Sequence, residues 1–352
     1  MKGTLPAVSQ RSPVSTALPA STALPASTAL PASTALPVSP ASPIAPVSPG
    51  RVVPGVPREQ GLARTALAYF ELTKPRIMLL VLITGVPALL AAARGMPRPS
   101  VFWGALLGTA LASASASAFN HYFDRDIDGL MVRTARRPLP AGTLPPRSAW
   151  MFGLLLAALS WAVLATFTNV LAAAIGLVSI FYYAVVYTVW LKRSTPENIV
   201  IGGGAGAAAP LIAWAAVTGH LSAAAALQAS IVFLWTPPHF WALALYRSAD
   251  YHAAGVPMLP VTHGGRVTRR RILLYSLALV PVTLGLQPLG AAGWLYTVPA
   301  AVLGLEFLRR AEKLRRSGAE RDAVRLFRYS ILYLFLIFVF MTADAALRAA
   351  RG

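Results

Sequence analysis

Three polar residues spaced four apart, Asn120, Asp124 and Asp128, follow a long apolar run that begins near Val101. On an α-helix, each four-residue step turns the side chain by about 40° and climbs about 6 Å, so the three would form one stripe. A carboxylate at a membrane boundary is costly and needs a compensating partner. Mg²⁺ binds one or two carboxylates and leaves sites for substrate phosphates. The stripe therefore indicates diphosphate chemistry at a membrane face, and the alternative is a solvated helix end whose acids pair with arginines.

Further charged residues border this stripe. Asp126 lies about 200° around the helix from Asp124, so we expect it to face away from the other acids. Arg133 and Arg137 follow closely and could hold the outer oxygens of a diphosphate, stabilising it as a leaving group. The same charges would also mark a cytoplasmic loop, so both interpretations stay open.

A second constellation occupies Trp235–Pro260. It carries a double proline, an intramembrane His239 and, at its polar end, Arg247 and Asp250. Asp250 could complete a divalent metal site with the two carboxylates of the stripe. His239 could be a metal or haem ligand, a general base, or a residue that satisfies backbone groups left open by the prolines. Residue types alone do not choose between these roles.

Basic residues also stand at the ends of two other apolar runs. Lys74 and Arg76 precede the first run, and Lys192 follows the fourth. Each could reach a phosphate oxygen, and each could equally anchor its helix at the membrane interface.

The composition is that of a membrane protein. The chain has 352 residues, of which 56% are hydrophobic and 12% charged, and several apolar runs approach the 20 or so residues that span a bilayer. Cysteine is absent, which excludes disulfides, zinc–thiolate sites and thiol nucleophiles. We therefore predict an all-α integral membrane protein with nine transmembrane helices. The nine predicted spans are Ile77–Ala93, Val101–Phe123, Ser148–Phe167, Val170–Leu191, Ile199–Val217, Ala223–Tyr246, Ile272–Leu289, Gly293–Leu308 and Phe327–Leu347.

The net charge of +19 is distributed as a topology signal. Lys and Arg lie in loops between apolar runs rather than on one continuous face, so we expect no nucleic-acid partner. The basic residues concentrate before the first predicted span and in the loops that follow the second, fourth, sixth and eighth spans. The loops that follow the odd-numbered spans hold few basic residues. The positive-inside rule then places the amino terminus and both acid-bearing loops in the cytoplasm, and the carboxyl terminus outside.

Residues 1–60 differ from the rest. The hexamer Thr-Ala-Leu-Pro-Ala-Ser occurs at Thr16–Ser21, Thr22–Ser27 and Thr28–Ser33. Proline in every sixth position forbids a regular helix, and no continuous apolar stretch follows the basic start as it would in a signal peptide. We predict a disordered cytoplasmic tail over residues 1–60, followed by one intramembrane domain over residues 61–352.

Several short sequence motifs match those of a known family. Leu72–Arg76, Asn120–Asp128, Arg137–Leu139, Trp235–Trp241 and Asp250–Pro260 together resemble the UbiA superfamily of intramembrane prenyltransferases and, more narrowly, its protohaem IX farnesyltransferase branch. The resemblance covers about residues 65–345. It implies nine transmembrane helices around a central cavity and Mg²⁺ held between two acidic motifs that bind an isoprenyl diphosphate.

The resemblance also implies site residues. The catalytic carboxylates would be Asp124, Asp128 and Asp250, and with Asn120 these would also be the metal ligands. Many family members have several aspartates in the second acidic motif, whereas the corresponding stretch of this sequence has Asp250 alone. The candidates for binding the diphosphate are Asn120, Lys74, Arg76, Arg133, Arg137, Lys192 and Arg247. The candidates for contacting haem are His239 and His121.

The implied reaction transfers a farnesyl group from farnesyl diphosphate to a vinyl group of haem b, giving haem o. The implied setting is a bacterial inner membrane with the active site on the cytoplasmic side, and the implied partners are a haem-copper oxidase assembly or a haem a synthase. One alternative is prenyl transfer to an aromatic quinone precursor, and a second is a transporter or channel that uses the acids as a cation site. The Asp-x₂-Asp-Gly-x₂-Ala-Arg pattern of CDP-alcohol phosphotransferases is missing.

Overall fold

The computed structural model describes residues 61–351, and this part of the chain is helical without any β-strand. The predicted tail over residues 1–60 lies outside the described residues, so the predicted domain division stays a prediction. The helices are α1 (Leu62–Leu72), α2 (Pro75–Ala93), α3 (Pro99–Leu130), α4 (Pro146–Phe167), α5 (Val170–Phe181) with a π-helix (Tyr182–Leu191), α6 (Asn198–Gly206), α7 (Ala208–Thr218), α8 (Ala223–Tyr246), α9 (Ser248–Ala253), α10 (Leu259–Thr262), α11 (Gly264–Leu284), α12 (Trp294–Ser317) and α13 (Glu320–Arg351).

Each of the nine predicted spans falls on a helical segment. Within residues 61–351, six segments are long and apolar enough to cross a membrane: α2, α3, α4, α5 with the π-helix, α6 with α7, and α13. The other three predicted spans fall on α8, α11 and α12, where a double proline with a histidine or a run of arginines reduces the apolar character. The all-helical membrane architecture is thus confirmed, and the count of nine spans and the orientation stay predictions.

Helix α3 is the longest element near the acidic stripe. It continues seven residues beyond the predicted end at Phe123, so Asp124 and Asp128 lie on the same uninterrupted helix. Its earlier part packs closely on α4 because Gly108 leaves the backbone bare: a Cβ there would lie 2.4 Å from a side-chain atom of Leu164. The Ser160 hydroxyl of α4 donates to the Gly108 carbonyl at 2.8 Å, which fixes the register of the pair.

Three segments depart from regular α-helix. The π-helix ends with a bond from the Lys192 amide to the Tyr187 carbonyl, five residues back. Helix α7 begins just after Ala207, and Pro210 stands in its first turn, where the missing amide is tolerated. Helix α8 instead continues through its double proline at 237 and 238.

The predicted orientation can be tested with single cysteines, since the natural chain has none. Ala141, exposed in the loop after α3, and His220, exposed in the loop before α8, lie on opposite predicted sides. A membrane-impermeant maleimide should label His220→Cys in intact cells, and Ala141→Cys only after permeabilisation. The reverse pattern would contradict the cytoplasmic placement of the acid-bearing loops.

Candidate active site

A cavity of about 710 Å³ opens between α2, α3, the π-helix, α6, α8 and α13. Its volume lies within the range typical of small-molecule sites. One part of the wall is charged or polar, and the remainder is mainly apolar and aromatic. The predicted site residues in this wall are Lys74, Arg76, Asn120, His121, Asp124, Asp128, Arg133, Arg137, Lys192 and His239.

The acidic stripe has the predicted geometry. Asp124 and Asp128 are each 1% exposed, and Asn120 is also buried. The Asn120 amide nitrogen donates to Asp124 Oδ2 at 2.6 Å and to Thr188 Oγ1 at 3.2 Å. Thr188 sits in the π-helix and donates in turn to the Tyr183 carbonyl, five residues back, at 2.8 Å. The π-helix therefore holds the amide of Asn120, and the amide holds one oxygen of Asp124.

Asp126 lies on the opposite face, as the helical spacing predicts. Its side chain is 60% exposed and forms a two-pronged ion pair with Arg193 at 2.7 Å for each bond. Arg193 also donates to the Phe123 carbonyl at 2.6 Å. This pair ties the end of the π-helix to α3 from the outside of the site.

Each member of the stripe has a cationic partner. Lys192 Nζ lies 2.6 Å from Asp124 Oδ2, and an Arg137 guanidinium nitrogen lies 2.6 Å from Asp128 Oδ2. Lys74 Nζ donates to Asn120 Oδ1 at 2.5 Å. These cations come from three different segments, and charge-assisted bonds of this length are the strong ones. The stripe is thus an ion-pair network within the cavity wall and not a solvated helix end.

Lys74 adopts a backbone conformation that is unusual for its residue type. It caps α2 in the left-handed region with φ +50°, immediately before Pro75. Such a conformation costs about 1–3 kcal/mol and persists where the surroundings impose it, commonly at functional sites. Burial, and secondarily the Arg137 guanidinium, lower the pKa of Lys74 to about 7. A bound anion near Lys74 would therefore favour its charged form.

The carboxylates retain capacity for a cation. Asp124 Oδ1 and Asp128 Oδ1 are buried and have no hydrogen-bond partner within residues 61–351. In the same part of the chain, no cluster of three or more His, Asp or Glu side chains has a metal-binding arrangement. Mg²⁺ does not need one, since it is commonly held by one or two carboxylates, water and substrate phosphates. The two free oxygens fit such a site, whereas the Asn120 oxygen is already occupied by Lys74.

The structure does not bring the second motif's acid to this cavity. Asp250 pairs loosely with Arg247 at 3.7 Å, both side chains are partly exposed, and neither lines the cavity. The neighbouring Tyr251 is buried and does line it. The metal role of Asp250 and the diphosphate role of Arg247 stay predictions, and both need a different arrangement of the segment around α9.

The two predicted haem contacts have different surroundings. His121 is 2% exposed, and both of its ring nitrogens lack a partner among the described residues. His239 is better fixed: its Nδ1 lies 2.7 Å from Ser330 Oγ of α13. Its ring stacks between Trp235 and Phe327, with centroid distances of 4.3 Å and 4.7 Å. Because the partner of His239 is a side chain, the structure gives no support to a role in satisfying proline-freed backbone.

A second, narrower cavity of about 120 Å³ continues from the first along α3. It shares Lys74, Ile77, Val81, Tyr183 and Gly206 with the larger cavity. The remaining wall is built from small or aliphatic residues of α3, α5, α6 and α7. These are Thr109, Ala112, Ser113, Ala116, Ser117, Ser179, Ala205, Ala208, Ala209 and Ile212. The joined space is polar beside the stripe and apolar along the earlier turns of α3.

Sequence reasoning missed several wall and support residues. Tyr183 and Tyr187 line the cavity from the π-helix, which no local pattern distinguishes from the preceding α-helix. Tyr251 is not among the predicted site residues, although its aromatic side chain next to Asp250 is a usable signal. Thr188 and Ser330 reach their partners across 68 and 91 residues of chain, so no sequence spacing points to them.

Comparisons of the sequence with known proteins find a matching family model and relatives of about 50% identity. The model of the UbiA prenyltransferase family matches residues 81–337. The protein named protoheme IX farnesyltransferase from Gloeobacter violaceus is 49% identical over 84% of this chain and 96% of its own length. The protein of the same name from Azorhizobium caulinodans is 51% identical over 80% of this chain and 92% of its own length.

Solved structures share the fold at low sequence identity. A digeranylgeranylglyceryl phosphate synthase is 17% identical, with a TM-score of 0.69 over 80% of this chain and 99% of its own. A UbiA homologue from Archaeoglobus fulgidus bound to GPP and Mg²⁺ is 17% identical, with a TM-score of 0.55 over 78% of this chain and 99% of its own. At this identity the likeness shows the fold alone.

Two glycines of the cavity wall allow a matched test of its packing. A Cβ at Gly202 would lie 2.2 Å from the Tyr187 ring, whereas a Cβ at Gly206 would meet nothing closer than 3.8 Å. Gly202→Ala should therefore destabilise the protein by about 1–3 kcal/mol, because the ring must move. Gly206→Ala should leave the melting temperature of the detergent-solubilised protein unchanged or slightly raised. Equal melting temperatures for the two variants would contradict the close approach of Tyr187 to α6.

Proposed function

Because this chain belongs to the UbiA prenyltransferase family, we propose that it transfers a farnesyl group from farnesyl diphosphate to a vinyl group of haem b, giving haem o. The proposal is supported by relatives of about 50% identity, named protoheme IX farnesyltransferase, that this chain matches over more than 90% of their length. The observation that carries the chemistry is the pair of buried carboxylates, Asp124 and Asp128, each with one unpartnered oxygen in a cation-lined cavity wall.

The polar part of the cavity fits the diphosphate. Asp124 and Asp128 would hold Mg²⁺, which when bound neutralises developing charge on the leaving group. Lys74, Lys192 and Arg137 stand beside these carboxylates and would bind diphosphate oxygens directly. Arg76 and Arg133 line the same cavity and form no ion pair within residues 61–351, so their charges are available to the substrate.

The proposed reaction is a substitution at C1 of the farnesyl group. The bond between farnesyl C1 and the diphosphate oxygen breaks, and its electron pair leaves with the diphosphate. The vinyl π-electrons of haem b form the new carbon–carbon bond to C1. Water adds to the resulting carbocation beside the porphyrin and loses a proton, which leaves a hydroxyl group. Positioned cations that stabilise the departing charge are the main catalytic contribution of the chain.

The apolar part of the joined cavity fits the isoprenoid. We propose that part of the farnesyl chain enters the narrow extension lined by Ala112, Ala116 and Ala209, whose side chains are small. Such a wall would shield the allylic cation from early capture by water. The haem would occupy the wider space towards Trp235 and His239.

The chain is a multi-pass membrane protein of this family. Further proposals are that it resides in a bacterial inner membrane and works on the cytoplasmic side, as the basic loops favour. Its product would pass to a haem-copper oxidase assembly or to a haem a synthase, and no nucleic acid takes part. Asp250 is retained as a proposed metal ligand in a state where the segment around α9 turns its carboxylate towards the cavity.

Neutralising the stripe should abolish transfer. Asp124→Asn and Asp128→Asn should each lower the rate of product formation by about 100-fold or more, because the cation and the diphosphate lose a charged ligand. The matched control is Asp126→Asn, which alters an exposed acid of the same helix and should retain transfer. Chelating Mg²⁺ should stop the wild-type reaction. Equal rates for the Asp124 and Asp126 variants, or a rate indifferent to chelation, would count against the metal role.

The acceptor can be identified directly. Purified protein is given farnesyl diphosphate and Mg²⁺ with either haem b or 4-hydroxybenzoate, and products are analysed by mass spectrometry. We expect a farnesylated haem and no prenylated benzoate. Prenylation of 4-hydroxybenzoate alone would replace the proposal with that of a quinone-precursor enzyme, and release of neither product would favour a transport role.

A further inference from the structure

We propose that the Nε2 atom of His239 binds the iron of haem b as an axial ligand and so fixes the porphyrin within the cavity. This rests on the proposed function, which it deepens by naming the protein group that holds the acceptor. His239 and its partner Ser330 lie on α8 and α13, on a part of the cavity wall that the diphosphate chemistry does not use.

The hydrogen bonds around His239 assign its tautomer. Ser330 Oγ donates to the Phe327 carbonyl at 2.7 Å, and a hydroxyl has only one hydrogen to give. Towards His239 it must therefore accept, so the bond of 2.7 Å is donated by Nδ1–H. The neutral ring then carries its lone pair on Nε2, in the plane of the imidazole. Metal-binding histidines have this arrangement, in which the other ring nitrogen donates to a fixed acceptor.

The surrounding aromatic rings set the direction of that lone pair. Trp235 lies 18° from parallel with the imidazole on one side, and Phe327 lies 24° from parallel on the other. The indole nitrogen of Trp235 donates to the Ser330 carbonyl at 2.7 Å, so the same residue fixes both the indole and the imidazole. With both faces covered and Nδ1 engaged, the edge that carries Nε2 is the part of this cavity-lining ring that is left for a ligand.

The neighbourhood suits an iron porphyrin better than it suits acid–base work. The wall beside His239 includes Phe240, Met258 and Leu334, which would pack against a flat apolar macrocycle. Within residues 61–351, His239 has one hydrogen-bond partner, the neutral hydroxyl of Ser330, and no carboxylate that would stabilise an imidazolium. A base that cycles protons commonly has such a partner, whereas an iron ligand needs a neutral ring with its lone pair on Nε2, and this is the neutral tautomer that the bond to Ser330 selects.

His121 does not offer the same arrangement. Both of its nitrogens lack partners among the described residues, so no hydrogen bond fixes its tautomer or its ring. It also follows Asn120 directly in the sequence and lies with the cations of the polar part of the cavity. Ligation by His239 instead holds the porphyrin at its centre, which leaves the peripheral vinyl groups free to face the isoprenoid.

Ligation is tested by spectroscopy without any prenyl donor. The full chain in lipid nanodiscs is titrated with ferric haem b and followed by absorption, electron paramagnetic resonance and magnetic circular dichroism. Wild-type protein should give the spectrum of imidazole-ligated haem. His239→Ala should lose it, and added imidazole should restore it by entering the vacated space. The control His220→Ala, exposed in the loop before α8, should match wild type.

A second variant separates ligation from general packing. Ser330→Ala removes the acceptor for Nδ1 and should raise the haem dissociation constant by about tenfold while retaining the imidazole spectrum. An unchanged spectrum and affinity in His239→Ala, with a wild-type melting temperature, would overturn the proposal. So would a His239→Ala protein that loses haem affinity and is not rescued by imidazole.

The proposed function can fail separately from this inference. Asp124→Asn should retain the His239-dependent haem spectrum while losing transfer. Wild-type protein that shows the spectrum but makes no farnesylated haem would refute the proposed reaction and leave ligation standing. Wild-type protein that farnesylates haem with a spectrum indifferent to His239 would refute ligation and leave the reaction standing.

Discussion

The fold has to accommodate two carboxylates, Asp124 and Asp128, that are buried inside a helical membrane protein. An unpaired buried carboxylate is costly, and its burial is tolerated when a cation and further hydrogen bonds compensate. Asp124 obtains its cation from Lys192 after the π-helix, and Asp128 obtains its cation from Arg137 in the turn after α3. Both partners lie outside α3, so the burial of these acids fixes where two neighbouring segments must run. The compensation is incomplete, because one oxygen of each carboxylate has no hydrogen-bond partner among the described residues. These two oxygens are therefore left to bind a cation.

Three departures from regular helix border the cavity. The π-helix brings Thr188 to the stripe, the left-handed Lys74 brings an ammonium to Asn120, and the double proline in α8 precedes His239. Each irregularity is locally unfavourable, and π-helical segments and strained backbone are both frequent at functional sites. Away from the cavity, helices pack closely through small residues such as Gly108. These three irregularities lie beside side chains of the cavity wall, whereas the left-handed Arg94 and the prolines inside α11 and α12 lie elsewhere.

The sequence predicted those parts of the site that helical periodicity alone decides. The spacing from Asn120 to Asp128 places three side chains on one face and Asp126 on the other, and the structure agrees. Periodicity cannot describe contacts between distant segments. Tyr251, and not Asp250, lines the cavity. Helix α9 is short and begins after a break, so tertiary packing sets the direction of its side chains. The partner of His239 likewise lies 91 residues away, and the contact exists only after α8 and α13 have packed.

The length of α3 bears on how a lipid-like substrate would reach the site. With 32 residues the helix is about 48 Å long, whereas the hydrocarbon core of a bilayer is about 30 Å thick. The stripe begins 21 residues after Pro99, about 32 Å along the axis, and the small-residue wall lies in the turns before it. A lipid-like diphosphate dissolved in a leaflet already holds its headgroup at the interface and its chain in hydrocarbon. Under the proposed function, such a substrate would therefore need no reorientation to match the polar and apolar parts of the site, and its supply would depend on its density in the leaflet and not on its concentration in water.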